Sequence, residues 1–215
     1  MARWEPDAQG RLQLAALELF RERGYAEVTV AEIAGRAGLT KRTFFNHFAD
    51  KREVLFAGAK DFEAGIVKHL TEAGDDLAPI DAAIVALTRS SLELAQYSDF
   101  ARVRRDLIAS SPELQERDLI KMTSLASAIA EALRQRHVPA RTATLTAQAA
   151  VTVFTTAYDD WADDSTEDFD TLMQRSLTEF RQAVGGTRGT GNGEGGGFGA
   201  AVDLDDLAGD VAGCG

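Results

Sequence analysis

Cysteine is almost missing from this chain: Cys214 stands alone among 215 residues. A disulfide framework is thereby excluded, and nothing points to an oxidising compartment. Long apolar runs are missing as well. Stretches such as AAIVAL (82–87) are far shorter than the roughly 18 residues that a bilayer crossing needs. The opening MARWEPDAQG has no apolar h-region of a secretory leader, so a cytoplasmic protein without membrane partners is the expectation. His47, His69 and His137 are too scattered for a zinc site, and no metal or cofactor is expected. There is no convincing period-two alternation and no internal repeat.

An excess of basic charge is also lacking, since 23 Lys and Arg face 34 Asp and Glu for a formal net charge of -11. The total hides a split. Residues 1–60 hold ten basic and eight acidic groups, a balance of +2, so the remainder holds 13 basic and 26 acidic groups, a balance of -13. Nucleic-acid affinity depends on local basic surface, and an acidic remainder opposes non-specific adhesion. The global charge therefore leaves DNA binding open.

What the chain does have is helical periodicity nearly throughout, as in Leu55, Ala59, Phe62, Ile66 and Leu70, or Phe154, Tyr158 and Trp161. The pattern predicts an all-α protein of about nine helices, near 8–24, 29–36, 40–46, 51–73, 79–97, 99–109, 113–137, 140–163 and 166–184. Breaks are expected at Gly24, Ala37-Gly38, Gly74-Asp75-Asp76, Ser111-Pro112 and Val138-Pro139. Beyond 184 the composition turns to glycine with few large apolar residues, which reads as a disordered acidic tail over 185–215.

Thr29-Val30-Ala31-Glu32 has the pattern of a capping box, with Val28 and Ile33 placed for a hydrophobic staple, and sets a helix start at residue 29. The helix meets Gly38, suited to a left-handed exit, and Thr40 caps a new helix two residues later. Helix, glycine turn and helix make a helix-turn-helix pattern, against the alternative of an ordinary helical corner. The second helix tips the balance. Phe44 and Phe48, four apart, can anchor it to the core, which leaves Lys41, Arg42, Thr43, Phe45 and Asn46 projecting elsewhere. Arg42 and Lys41 could read guanine edges, and Asn46 adenine or a phosphate. Lys51, at the next helix start in Asp50-Lys51-Arg52-Glu53, is placed as a phosphate clamp.

The stretch GYAEVTVAEIAGRAGLTKRTFFNHFADKREVL resembles the DNA-binding region of TetR/AcrR-family transcriptional regulators over about residues 8–56. That resemblance implies phosphate contacts from Thr29, Thr43, His47 and Lys51 and base contacts from Lys41 and Arg42. Phe45 stands where the family often has tyrosine, so a phenolic phosphate contact is replaced by apolar contact. Arg42 stands where glycine is frequent. The resemblance further implies two regions ahead of the 185–215 tail: a DNA-binding domain over 1–56 and an effector-binding and dimerisation domain over 57–184. It implies a homodimeric repressor on palindromic double-stranded operator DNA, released by a small-molecule effector, with the last two helices as the dimer pair. RRDLIASSPELQER (104–117) looks similar to a segment of some actinobacterial members.

Phe100, Met122, Phe154, Tyr158 and Trp161 are the candidate lining of an effector pocket, with plain core packing as the alternative. A rival of another class comes from DDWADD (159–164), in which Asp160 and Asp164 share a helix face as conceivable Mg²⁺ ligands of an all-α enzyme. A solvated helix end explains that cluster better, and no catalytic residue is assigned.

Overall fold

The computed structural model describes residues 8–92, 98–164 and 166–185, and every regular element among them is helical, as the periodicity predicts. The order is α1 (Ala8–Arg23), α2 (Val30–Arg36), α3 (Lys41–His47), a 3₁₀ turn (Arg52–Phe56), α4 (Ala59–Glu72), α5 (Pro79–Leu92), α6 (Ser98–Ala109), α7 (Pro112–Gln135), α8 (Ala140–Asp163) and α9 (Phe169–Gly185). The expected tail beyond Gly185 and the end of the fifth predicted helix, 93–97, lie outside the described residues.

The single helix expected over 51–73 is divided. Val54, Leu55 and Phe56 are all buried, and three successive residues cover too wide an arc for one helix face. The chain makes a 3₁₀ turn there, extends at Ala57, and enters α4 through Gly58 at φ +81°, a left-handed step that glycine takes without steric cost. The last helix begins at Phe169 rather than 166. Asp164 accepts from the Thr166 amide at 3.0 Å and Asp168 from the Thr171 amide at 3.3 Å, so two aspartates hold the intervening turn and cap α9.

Two clusters of buried residues result. The larger joins α4, α5, α7, α8 and α9, with α8 contributing Ala143, Ala147, Ala150, Phe154 and Ala157 at helical spacing. Alanines on α8 and on α5 (Ala82, Ala83, Ala86) let these helices approach closely. The smaller joins α1, α2, α3 and the 3₁₀ turn, but it is completed by Leu107 and Ile108 of α6 and Leu114 of α7. Residue 56, the expected boundary, is the last of the 3₁₀ turn, and the packing of the N-terminal cluster reaches past it to α6 and α7.

Candidate nucleic-acid interface and effector region

At the start of α2 the expected reciprocal cap is formed. The Thr29 amide donates to Glu32 Oε2 at 2.8 Å, and the Glu32 amide donates to Thr29 Oγ1 at 3.3 Å. The Thr29 hydroxyl also gives its proton to Glu32, at 2.7 Å. The Arg23 guanidinium, together with Thr29, holds the Glu32 carboxyl down at about 2. After α2 the chain turns at Gly38, φ +66°, where a Cβ would lie 2.9 Å from the guanidinium of Arg11. That guanidinium donates to the Ala37 carbonyl, so α1 holds the turn between α2 and α3. Thr40 then caps α3, its Oγ1 accepting from the Thr43 amide at 3.1 Å.

Phe44 is fully buried and Phe48 is 5% exposed, and their rings lie 5.3 Å apart. This anchoring turns the opposite face of α3 outward. Lys41, Arg42, Asn46 and His47 are exposed, Thr43 is half-buried, and Phe45 keeps 49% of its surface accessible. Lys41 Nζ lies 5.9 Å from the Phe45 ring centre. Among the described residues, none hydrogen-bonds or ion-pairs with the side chains of Arg42 or Asn46. Their neighbours differ: Arg23 pairs with Glu32, Arg36 with Glu18 and Glu22, and Arg52 with Asp50. Uncompensated positive charge therefore concentrates on the outer face of α3, at Lys41 and Arg42.

Lys51 sits differently from the exposed clamp that its position suggests. Its ammonium donates to the carbonyls of Tyr25 at 2.8 Å and Val28 at 2.9 Å, and lies 4.1 Å over the Tyr25 ring. Two of its three donors are thus committed to the loop that precedes α2. Burial lowers its pKa, and burial likewise pushes Tyr25 up to about 12.

This arrangement has counterparts in known proteins. The family model described as bacterial regulatory proteins, tetR family, matches residues 14–57, and that of the MftR C-terminal domain matches residues 75–185. The chain belongs to the tetR family. CymR of Pseudomonas putida is 31% identical over 113 residues, 51% of this chain and 55% of CymR. MftR of Mycobacterium tuberculosis is 28% identical over 128 residues, 56% of this chain and 61% of MftR. These alignments span little more than half of each relative. Among solved structures, the SmeT–triclosan complex superposes with a TM-score of 0.57 at 19% identity, covering 83% of this chain and 91% of SmeT. The fatty acid degradation regulator FadR from Bacillus halodurans gives 0.55 at 18% identity, covering 86% and 99%. At such identities these structures establish a tetR-type fold and nothing finer.

The expected effector residues come together in part. Phe154 is buried, Tyr158 and Trp161 are half-buried, and the three form a continuous aromatic group with Phe62 of α4 and Phe169 of α9 at ring separations of 5.6–6.2 Å. Phe62 and Phe169 escaped the sequence reading because their approach to α8 is a tertiary event. Met122 packs against the same core from α7. The side chain of Phe100 lies outside the described residues. Leu172, Met173 and Leu177 of α9 are buried in the larger cluster, the core of their own subunit.

Three of the four DDWADD carboxylates are engaged within the fold. Asp160 pairs with Arg175 at 3.1 Å, Asp163 with Arg105 at 2.8 Å, and Asp164 accepts from the Thr166 hydroxyl at 2.6 Å. The cluster is an acidic helix end held by arginines. No helix among the described residues is long and apolar enough to cross a membrane.

Proposed function

We propose that the chain is a one-component DNA-binding transcriptional regulator, a repressor released from its operator by a small molecule. The carrying observation is the outer face of α3, where Arg42 and Asn46 stand exposed and unengaged while Phe44 and Phe48 lock the helix from behind. Such a helix places donors at base edges in the major groove. In this reading residues 1–56 read DNA, with Lys41, Arg42 and Asn46 toward bases and Thr40, Thr43, Phe45 and His47 toward backbone or thymine methyls. Residues 57–184 bind the effector and form the homodimer, and the protein works in the cytoplasm on a palindromic operator.

For the effector, Phe154, Tyr158 and Trp161 favour an apolar or aromatic molecule. SmeT was solved with triclosan, and FadR of Bacillus subtilis with stearoyl-CoA. A genome-wide pull-down of bound DNA tests the reading. It should return a small set of inverted-repeat sites, and purified protein should also shift random duplex at low salt and lose it steeply as salt rises. A protein that leaves duplex unshifted at low salt would refute the proposal.

A further inference from the structure

We infer that the acidic segment Asp203 to Asp210 of this chain docks on the outer face of α3 and competes there with nucleic acid. The inference rests on the DNA-reading role proposed above and adds a regulator of that same face.

The fold leaves the charge of this face unanswered. The acids of α1 and α2 and the one after α3 are spent on arginines of their own unit: Glu18 and Glu22 on Arg36, Glu32 on Arg23, Asp50 on Arg52. Among the described residues no carboxylate pairs with Lys41 or Arg42. Between these cations and Asn46 stands the ring of Phe45, 49% exposed and 5.9 Å from Lys41 Nζ. Such a surface fits a ligand in which carboxylates alternate with apolar side chains.

The sequence supplies one. VDLDDLAGDV (202–211) holds four aspartates and no basic residue, and Arg188 is the single cation after Gly185. These carboxylates have no counterpart within their own stretch, so the nearest uncompensated positive field attracts them. A guanidinium takes a carboxylate in a two-pronged pair, which suits Arg42, and Leu204 and Leu207 are the apolar complement of Phe45.

The span is sufficient. Arg181 of α9 pairs with Asp81 of α5 at 2.6 Å, and Arg136, which follows α7, donates to the carbonyls of Leu70, Ala73 and Gly74. These helix ends therefore gather at one end of the larger cluster, while Leu114, at the start of α7, belongs to the N-terminal cluster. The 24 residues of α7 measure the separation, about 36 Å at 1.5 Å per residue. The 18 peptide steps from Gly185 to Asp203 cover up to about 59 Å at ~3.3 Å each.

Exposed ion pairs are individually weak, so a duplex with its row of phosphates displaces the segment. Operator and random duplex must both displace it, and the affinity for each falls by the same factor.

The single cysteine, Cys214, gives a direct test on the full chain. A nitroxide attached there should broaden the amide resonances of residues 40–47 of the free protein more than those of other helices. Added duplex or salt should relieve the broadening, and so should the fourfold variant Asp203→Asn, Asp205→Asn, Asp206→Asn, Asp210→Asn. A chain ending at Gly185 should bind random duplex about two- to fivefold more tightly than full length at ~50 mM salt, with the gap closing as salt rises. Broadening that spares 40–47, or that falls instead on residues 70–80 and 136–145 at the other end of the bundle, would overturn the inference. So would equal duplex affinity of the two chains at low salt. If neither chain shifts random duplex at low salt, the DNA-binding reading falls, and the inference, which invokes competition with nucleic acid, falls with it; duplex binding without broadening at 40–47 sinks the docking alone.

Discussion

At the scale of single residues, two cations near the recognition helix have opposite situations. Arg42 is exposed and unengaged, whereas Lys51 is bound to the Tyr25 and Val28 carbonyls. Arg42→Ala should therefore cost about 1–3 kcal/mol on operator and relax preference at one base pair per half-site, with little change in unfolding. Equal loss on operator and random duplex would assign Arg42 to phosphate. Lys51→Met should show its main effect in stability, losing about 1–3 kcal/mol in urea unfolding because two carbonyls lose a charged donor. A variant with wild-type stability and a salt slope about one unit lower per subunit would instead make Lys51 chiefly a phosphate contact.

At the scale of elements, the turns decide where helices stop. Gly38 and Gly58 both have positive φ, at +66° and +81°, yet they differ in surroundings. No atom lies within 4 Å of a Cβ at Gly58, while one at Gly38 meets the Arg11 guanidinium at 2.9 Å. Gly58→Ala should cost about 1–2 kcal/mol for the left-handed backbone alone. Gly38→Ala should cost more, since the guanidinium that holds the α2–α3 turn must also move. Thermal unfolding of both variants checks the order, and a Gly58→Ala protein less stable than Gly38→Ala would contradict it. The same comparison explains why the helix expected over 51–73 is broken: a periodic apolar pattern runs through 55–70, and the left-handed step at Gly58 interrupts it.

At the scale of the whole molecule, charge and association set the remaining expectations. Burial pushes Glu53 up, but hydrogen bonds from Arg117 and Lys121 outweigh it and hold the carboxyl below its usual value of 4.5. A carboxyl depressed in the folded state adds stability above its unfolded pKa and loses it as pH falls through the folded value. The joint between the two units should therefore weaken progressively below about pH 4.5, and Glu53→Gln should flatten that acid limb in urea midpoints measured against pH. An unaltered limb would place the acid sensitivity elsewhere. For association, a chain ending at Gly185 should remain dimeric by light scattering and bind operator within a few-fold of full length, because the residues beyond it offer little apolar surface to bury. Removing α9 from Phe169 onward should unfold the protein rather than merely separate subunits, since Phe169, Leu172, Met173 and Leu177 belong to its own core.

What the sequence determined by itself was local: the Thr29–Glu32 cap, the Gly38 exit, the Thr40 cap and the Phe44–Phe48 anchor all act within a few residues. Their geometry follows from backbone chemistry that neighbours in the chain satisfy, so the helix-turn-helix and its outward face were legible without a structure. Tertiary structure alone decided that Lys51 meets the Tyr25 and Val28 carbonyls, Arg104 that of Leu55, Arg105 the Asp163 carboxylate and Arg175 that of Asp160, contacts between residues 15 to 58 positions apart. An arginine pattern records that a charge needs a counterpart, but not which of several carboxylates and carbonyls the folded chain brings within reach. That choice is made when α6 docks against the 3₁₀ turn on one side and the end of α8 on the other.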